Sequence, residues 1–189
     1  MRRAGDRGWL LEAASPLATA AALRAAFGDR LEEVVPGHET VLVVGDVPAD
    51  ELLAVRVSAV LPEGRTIEVP VTYDGPDLAE VAELTRLSVD EVVRLHAEAT
   101  YTAAFLGFAP GWAYLTGLDE RLVVPRRAQP RERVPSGAVA IAGPYTGVYP
   151  RESPGGWRLL GSADVVLFDP GSERPALIEA GDRVRFVPL

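Results

Sequence analysis

The chain has 189 residues, a formal net charge of -8, a hydrophobic content of 48% and no cysteine. The acidic balance argues against a general nucleic-acid binder and the apolar fraction against a disordered chain. The missing thiols exclude a disulfide framework and a thiolate metal site. Arginine replaces lysine throughout, which removes a P-loop lysine, a Schiff-base lysine and a lysine general base.

At the N-terminus, Met1-Arg2-Arg3 precedes apolar residues that Asp6, Arg7 and Glu12 interrupt, which is a poor signal peptide. No apolar run approaches the roughly 20 residues that a membrane span needs, so a cytoplasmic protein without a membrane partner is expected. Trp9 to Ala13 reads as a strand. Ser15-Pro16 supplies an N-cap and a first helical residue for an Ala-rich helix from Leu17 to Phe27, with Gly28 as its stop. Leu31 to Val35 and Thr40 to Val44 are short strands around the Pro36-Gly37 turn. A second helix is expected over Glu51 to Val60, ended by Pro62-Glu63-Gly64, and an alternating strand over Arg65 to Tyr73. The order β-α-β-β-α-β suggests a ferredoxin-like domain. Asp77 caps a short helix from Leu78 to Leu87, and Ser88 with Glu91 forms the signature of a capping box for a helix ending near Ala97.

After Thr100 helical periodicity stops. Short apolar runs at Tyr101–Phe105, Arg121–Val124, Ala138–Ala142, Arg158–Gly161, Asp164–Phe168 and Arg183–Val187 alternate with Gly/Pro turns, the texture of a β-barrel or sandwich. The expected fold is therefore α+β: an α/β domain over residues 1–86 and a β-barrel over 87–189.

Charge is uneven along the chain. Between Arg121 and Arg158 there are arginines at 121, 126, 127, 131, 133, 151 and 158, against Glu132 and Glu152. Such forks suit a small carboxylate or phosphate; they also suit a solvated rim, or pairing with acids of the first domain. The stretch Tyr149-Pro150-Arg151-Glu152-Ser153-Pro154-Gly155-Gly156-Trp157-Arg158 combines fixed and permissive backbone with large aromatics, either a rigid loop against a pocket or a tight barrel turn. The segment Gly107 to Leu115, with Phe108, Trp112 and Tyr114 around Pro110-Gly111, fits an interface or a turn capping the core. His96, at a helix end, is a candidate general acid/base or a histidine satisfying a carbonyl. Two histidines and no cysteine give no usual metal-ligand spacing, and no metal is expected. No G-x-S-x-G, G-x-G-x-x-G or Walker A sequence occurs. Either the active site is unusual, or another polypeptide shares it.

Taken together, these segments resemble a known family. His96…Tyr101…Gly107-Phe108-Ala109-Pro110-Gly111-Trp112-Ala113-Tyr114-Leu115 is one block. Pro125-Arg126-Arg127…Pro130-Arg131…Val134-Pro135-Ser136-Gly137 to Gly143 is a second. Thr146 to Pro150, Ser153-Pro154-Gly155-Gly156-Trp157…Gly161 and Gly181 to Phe186 complete the set. Their order and spacing are similar to those of the family that holds the B-subunit of 5-oxoprolinase, allophanate hydrolase subunit 1 and the KipI-like proteins, the carboxyltransferase domain, subdomain C and D. The chain departs from it at Pro70 to Leu78, where a longer segment with a cysteine is shortened, and at Trp112 and Ala138, where the family has Phe and Ser.

The resemblance implies a small ferredoxin-like domain followed by a cyclophilin-like barrel. It further implies a component of a 5-oxoprolinase complex that opens 5-oxoproline to L-glutamate at the expense of ATP, held in the complex. The C-subunit of that enzyme (a related barrel) and its A-subunit would be the partners. A KipI-like inhibitor of a sensor histidine kinase and a component of an allophanate hydrolase-type amidohydrolase are the alternatives. Within this frame His96 and Tyr149 are expected to move or orient protons, and Ser153 to donate to an oxyanion with the Gly155 and Gly156 amides. Arg126, Arg127, Arg131 and Trp157 would grip a small anionic substrate, and Phe108, Trp112 and Tyr114 would face a partner.

Overall fold

A computed structural model describes residues 1–57 and 64–189 and divides into two units, Met1–Glu63 and Gly64–Leu189. The break therefore falls well before the expected boundary at 86/87. The reason is pairing: the strand and helix expected to complete the first domain contribute to the sheet and core of the second.

In the first unit, β1 (Arg2–Ala4), β2 (Gly8–Glu12), β3 (Leu31–Pro36) and β4 (Thr40–Gly45) form an antiparallel sheet in the order β1-β2-β4-β3. Helix α1 (Pro16–Phe27) places proline in its first turn, where no N–H partner is lost, and buries Ala20 and Leu23 with Leu11, Val34, Val41 and Val43 of the sheet. The short α2 (Ala49–Ala54) adds Leu52 to this core. The expected helix over 51–60 is thus shorter at Val55 to Val57, and its remaining positions and the 62–63 stop lie outside the described residues. The ferredoxin-like expectation needs correction at one edge. Strand 66–71 is absent from this sheet, and the N-terminal β1 occupies the place beside β2.

The second unit contains β5 (Thr66–Val71), α3 (Leu78–Thr85), α4 (Val89–Glu98), β6 (Tyr101–Leu106), β7 (Ala113–Thr116), β8 (Arg131–Val134), β9 (Ala138–Ala142), β10 (Tyr145–Val148), β11 (Ser153–Gly155), β12 (Arg158–Ser162) and β13 (Arg183–Pro188). Seven strands form one sheet in the order β12-β9-β10-β7-β6-β13-β5, and β8 pairs with β11 separately. β5 runs parallel to β13 along its full length, from Thr66 opposite Arg183 to Val71 opposite Pro188. Thr72 and Ser162 then exchange backbone bonds of 2.9 and 2.8 Å, so the first and last strands of the sheet meet and the barrel is nearly closed. Glycine is required at that seam: a Cβ on Gly161 would stand 2.2 Å from the Thr72 carbonyl oxygen. The core holds Val69, Val81, Val92, Tyr101, Leu115, Ile141, Leu160 and Phe186. The capping box forms as expected, Ser88 Oγ accepting from the Glu91 N–H at 3.2 Å and the Glu91 carboxylate from the Ser88 N–H at 2.8 Å. Two expected strands do not form. Arg121–Val124 becomes a 3-10 turn over Glu120–Leu122 with a single bridge at Val124, and 164–168 makes only the bridge of Phe168 with Ala176.

One side chain organises the loops around this barrel. Asp77 stands just ahead of α3 yet does not cap it. Its carboxylate, 2% exposed, accepts from Arg127 at 2.8 Å, from both terminal nitrogens of Arg131 at 2.8 and 2.7 Å, and from the Leu159 N–H at 2.8 Å. Glu80, one turn on, takes Arg158 at 2.5 Å. Burial by itself pushes the Asp77 carboxyl up. The hydrogen bonds from Arg131 and Leu159, with the charges of Arg131 and Arg127, more than offset this and hold it below the usual carboxylate range. We expect Asp77→Asn to lower stability by roughly 2–4 kcal/mol, less than for a sealed pair because both arginines keep some water; urea unfolding measures this. Since the folded carboxyl has the lower pKa, its contribution is complete above about pH 4 and disappears as pH falls through the folded value.

Candidate functional site

The two dense segments of the sequence converge on one cleft of the second unit. It has a volume of about 260 Å³ and is lined by Phe108, Trp112, Tyr114, Arg126, Pro130, Tyr149, Pro154, Gly155, Gly156 and Trp157. Trp112 is its central ring. It meets Tyr149 at 4.7 Å, Trp157 at 4.9 Å, Phe108 at 5.4 Å and Tyr114 at 5.7 Å between centroids, each edge to face, the preferred aromatic geometry. Gly111 permits this arrangement. Its φ of +83° is a left-handed turn, and a Cβ there would press the Phe168 side chain at 2.8 Å. Tyr114 comes from β7, while Tyr149 directly follows β10.

The opposite wall is the Gly-Pro loop. The Tyr149 hydroxyl lies so close to the Gly155 backbone that a Cβ on that residue would stand 2.2 Å from the oxygen and 2.8 Å from the ring carbon bearing it. Gly156 has no such neighbour, its nearest being Pro130 at 3.6 Å. The Arg127 N–H donates to the Gly156 carbonyl at 2.8 Å, which ties the loop carrying Arg126 and Pro130 to the glycine pair. Burial raises the Tyr149 phenol above its ordinary range; the Trp157 backbone N–H and the Arg126 charge act against that rise. The phenol therefore stays protonated at neutral pH.

Of the expected site residues, Tyr149, Arg126, Gly155, Gly156, Trp157, Phe108, Trp112 and Tyr114 are brought together here. Ser153 stands at the start of β11, beside the lining residues; its hydroxyl is buried and bonds to no described group. Arg127 and Arg131 need correction, because their guanidinium groups belong to Asp77, an acid of the same unit. His96 also needs correction. Its ring is fully buried in the core, hydrogen-bonded to the Tyr73 hydroxyl at 2.8 Å and to Thr146 Oγ1 at 2.8 Å, and stacked on Phe186 at 4.6 Å. Burial pushes its pKa down to about 3, so it is neutral and cannot serve the cleft as a proton donor. Pro130 and Pro154 line the cleft without standing out in the sequence, although both lie inside the segments that do. Among the described residues no group of three His, Cys, Asp or Glu is placed to hold a metal ion, and no helix is long and apolar enough to cross a membrane. The cleft offers rings, backbone and one guanidinium, a chemistry of binding and orientation.

The family model described as carboxyltransferase domain, subdomain C and D, matches residues 1–178. The chain belongs to this family. It is 46% identical to the B-subunit of 5-oxoprolinase from Escherichia coli O157:H7 over 170 residues, 82% of this chain and 77% of that protein. It is 47% identical to the B-subunit of 5-oxoprolinase from Bacillus subtilis (strain 168) over 128 residues, 66% of this chain and 53% of that one. Among solved structures, that of TTHA0988 superposes with a TM-score of 0.81 at 38% identity, over 97% of this chain and 40% of that one. The chain thus spans about three quarters of the E. coli protein, about half of the B. subtilis one and two fifths of TTHA0988.

Two outcomes follow from this geometry. Gly155→Ala should drive the new methyl into Tyr149 and cost about 1–3 kcal/mol of stability, whereas Gly156→Ala should leave the melting temperature near that of the parent; thermal melts of the two variants compare them. His96 should show no imidazole titration by NMR between pH 8 and 5. Below about pH 6.5 the unfolded chain takes a proton that the folded chain does not accept until about pH 3. Stability should therefore fall as pH drops below about 6.5, which denaturant midpoints measure.

Proposed function

We propose that this chain is the B-subunit of an ATP-dependent 5-oxoprolinase, acting with the A- and C-subunits of that enzyme, and that it supplies part of the pocket for the cyclic substrate. The similarity to the E. coli B-subunit supports this reading most directly, because it extends over 170 residues and three quarters of that protein. The cleft supports it chemically: aromatic walls suit a small ring, and Arg126 suits an acid group on it.

In the proposed reaction water adds across the ring amide, the carbon–nitrogen bond breaks, the nitrogen leaves as an amine and the former carbonyl becomes a second carboxylate, while ATP is hydrolysed to ADP and phosphate. The residues of this chain do not fit the nucleotide. It has no lysine and no Walker sequence, and no described carboxylate cluster could hold its metal. We therefore assign ATP, and the groups that move protons, to the partner proteins. The role of this chain is to bind and orient, with Tyr149 and the Gly155-Gly156 backbone shaping one wall. An expected cytoplasmic setting agrees with the absence of cysteine.

The reading is tested by co-expression with the neighbouring genes and purification of the assembly. Hydrolysis of ATP should depend on 5-oxoproline, glutamate should accumulate, and both should collapse when this chain is omitted. An assembly that works at full rate without it would defeat the proposal. Suppression of histidine-kinase autophosphorylation, with no ring opening by any assembly, would assign the chain to the KipI-like alternative.

A further inference from the structure

Two polar groups of residues that line the cleft have no hydrogen-bond or ion-pair partner among the described residues. Arg126 is exposed at the cleft and makes no hydrogen bond or ion pair with a described residue, whereas its neighbours Arg127, Arg131 and Arg158 are all engaged by Asp77 or Glu80. Trp112 is 2% exposed, and its buried indole Nε1–H finds no acceptor among the described residues. A buried donor without an acceptor is destabilising, and such a group in a native fold calls for an explanation. Of the rings packed on Trp112, Tyr149 and Trp157 are buried and Tyr114 is half-buried, whereas Phe108 is 59% exposed; it stands edge-on to Trp112 and holds a φ of 62°, in the left-handed region that bulky residues avoid. Backbone strain of this kind gathers at ligand clamps, where a second conformation is within reach.

We propose that the cleft reads a small cyclic amide acid through two contacts, the Trp112 indole N–H donating to the ring carbonyl oxygen and the Arg126 guanidinium pairing with the carboxylate. The identity of the ring as 5-oxoproline rests on the function proposed above; the two contacts rest on the geometry. The indole nitrogen is buried, so the carbonyl reaches it through a rearrangement of the cleft wall, and Phe108, the exposed and strained ring packed on Trp112, is the side chain proposed to move. The ligand then supplies the acceptor that the fold leaves out. An analogue without the carbonyl forfeits this gain and strands the donor again, the condition under which a polar site discriminates most strongly.

The test uses the full chain and the co-purified assembly, titrated by calorimetry with 5-oxo-L-proline, cyclopentanecarboxylate (no ring carbonyl, and no charged ring nitrogen) and 2-pyrrolidinone (no carboxylate). On the unmodified protein both analogues should bind about tenfold more weakly or worse. Trp112→Phe should remove most of the preference over cyclopentanecarboxylate, and Arg126→Gln most of the preference over 2-pyrrolidinone, with near-UV circular dichroism showing that each variant is folded. Equal binding of the three ligands to the unmodified protein, an intact preference in folded Trp112→Phe, or no saturable binding of 5-oxo-L-proline to either preparation overturns the proposal. Ring opening by an assembly indifferent to both substitutions keeps the proposed enzyme role and rejects the two contacts. The expected binding pattern in a chain whose assembly opens no ring does the reverse.

Discussion

The Asp77 carboxylate is the constraint from which the candidate site follows. It is nearly sealed from water, an unfavourable place for a charge unless every lone pair is used. Four hydrogen bonds from Arg127, Arg131 and Leu159 meet that condition. Each partner carries a different piece of chain toward the same point. Arg127 and Arg131 bracket the turn that ends in Pro130, with Arg126 just ahead of it, and Leu159 belongs to β12, two residues after Trp157. With those ends fixed, the Arg126–Pro130 stretch has little freedom left, and the Arg127 N–H locks it to Gly156.

The same ion cluster sets the charge of the cleft. A run of arginines in an acidic protein could have produced a broad basic surface. Instead Asp77 and Glu80 engage Arg127, Arg131 and Arg158 and offset most of their charge, and Arg126 is the charged side chain among the lining residues. A guanidinium beside aromatic rings presents a planar fork that matches a single carboxylate bidentately. The rings perform the complementary task. Edge-to-face packing around Trp112 makes a wall that holds its shape, and Gly155 lets Tyr149 stand against the backbone where any side chain would intrude.

Much of this cleft was legible in the sequence, and what was illegible had a common cause. The rings at 108, 112, 114, 149 and 157 and the glycine pair stood out because Pro, Gly and aromatic residues reveal local shape, and local shape was preserved on folding. The capping box of Ser88 and Glu91 was legible for the same reason. His96, Arg127 and Arg131 were misread because their roles depend on residues about 20 to 55 positions away: Tyr73, Thr146 and Asp77. A residue type announces what it can do, and a distant partner decides whether it is free to do it. Strand 66–71 shows this at the level of fold. Its alternation marked it correctly as a strand, but the choice between two sheets was made by its six-residue parallel register with β13, more than a hundred residues later in the chain.

The contrast between His96 and Trp112 bears on how work is divided in an assembly. Both are buried polar rings. His96 has hydrogen-bond partners on both nitrogens and a ring stacked on Phe186, so it contributes to the barrel and retains nothing to offer a substrate. Trp112 has rings packed around it and no described partner on its nitrogen. The described cleft has no carboxylate and no imidazole in its lining, and the Tyr149 phenol is held protonated, so the lining offers no side chain of the usual general-base type to activate water at neutral pH. Hydrolysis of a stable amide demands such an agent. Under the proposed function, a second polypeptide supplies that agent at the exposed side of the cleft, where Phe108 and Arg126 stand.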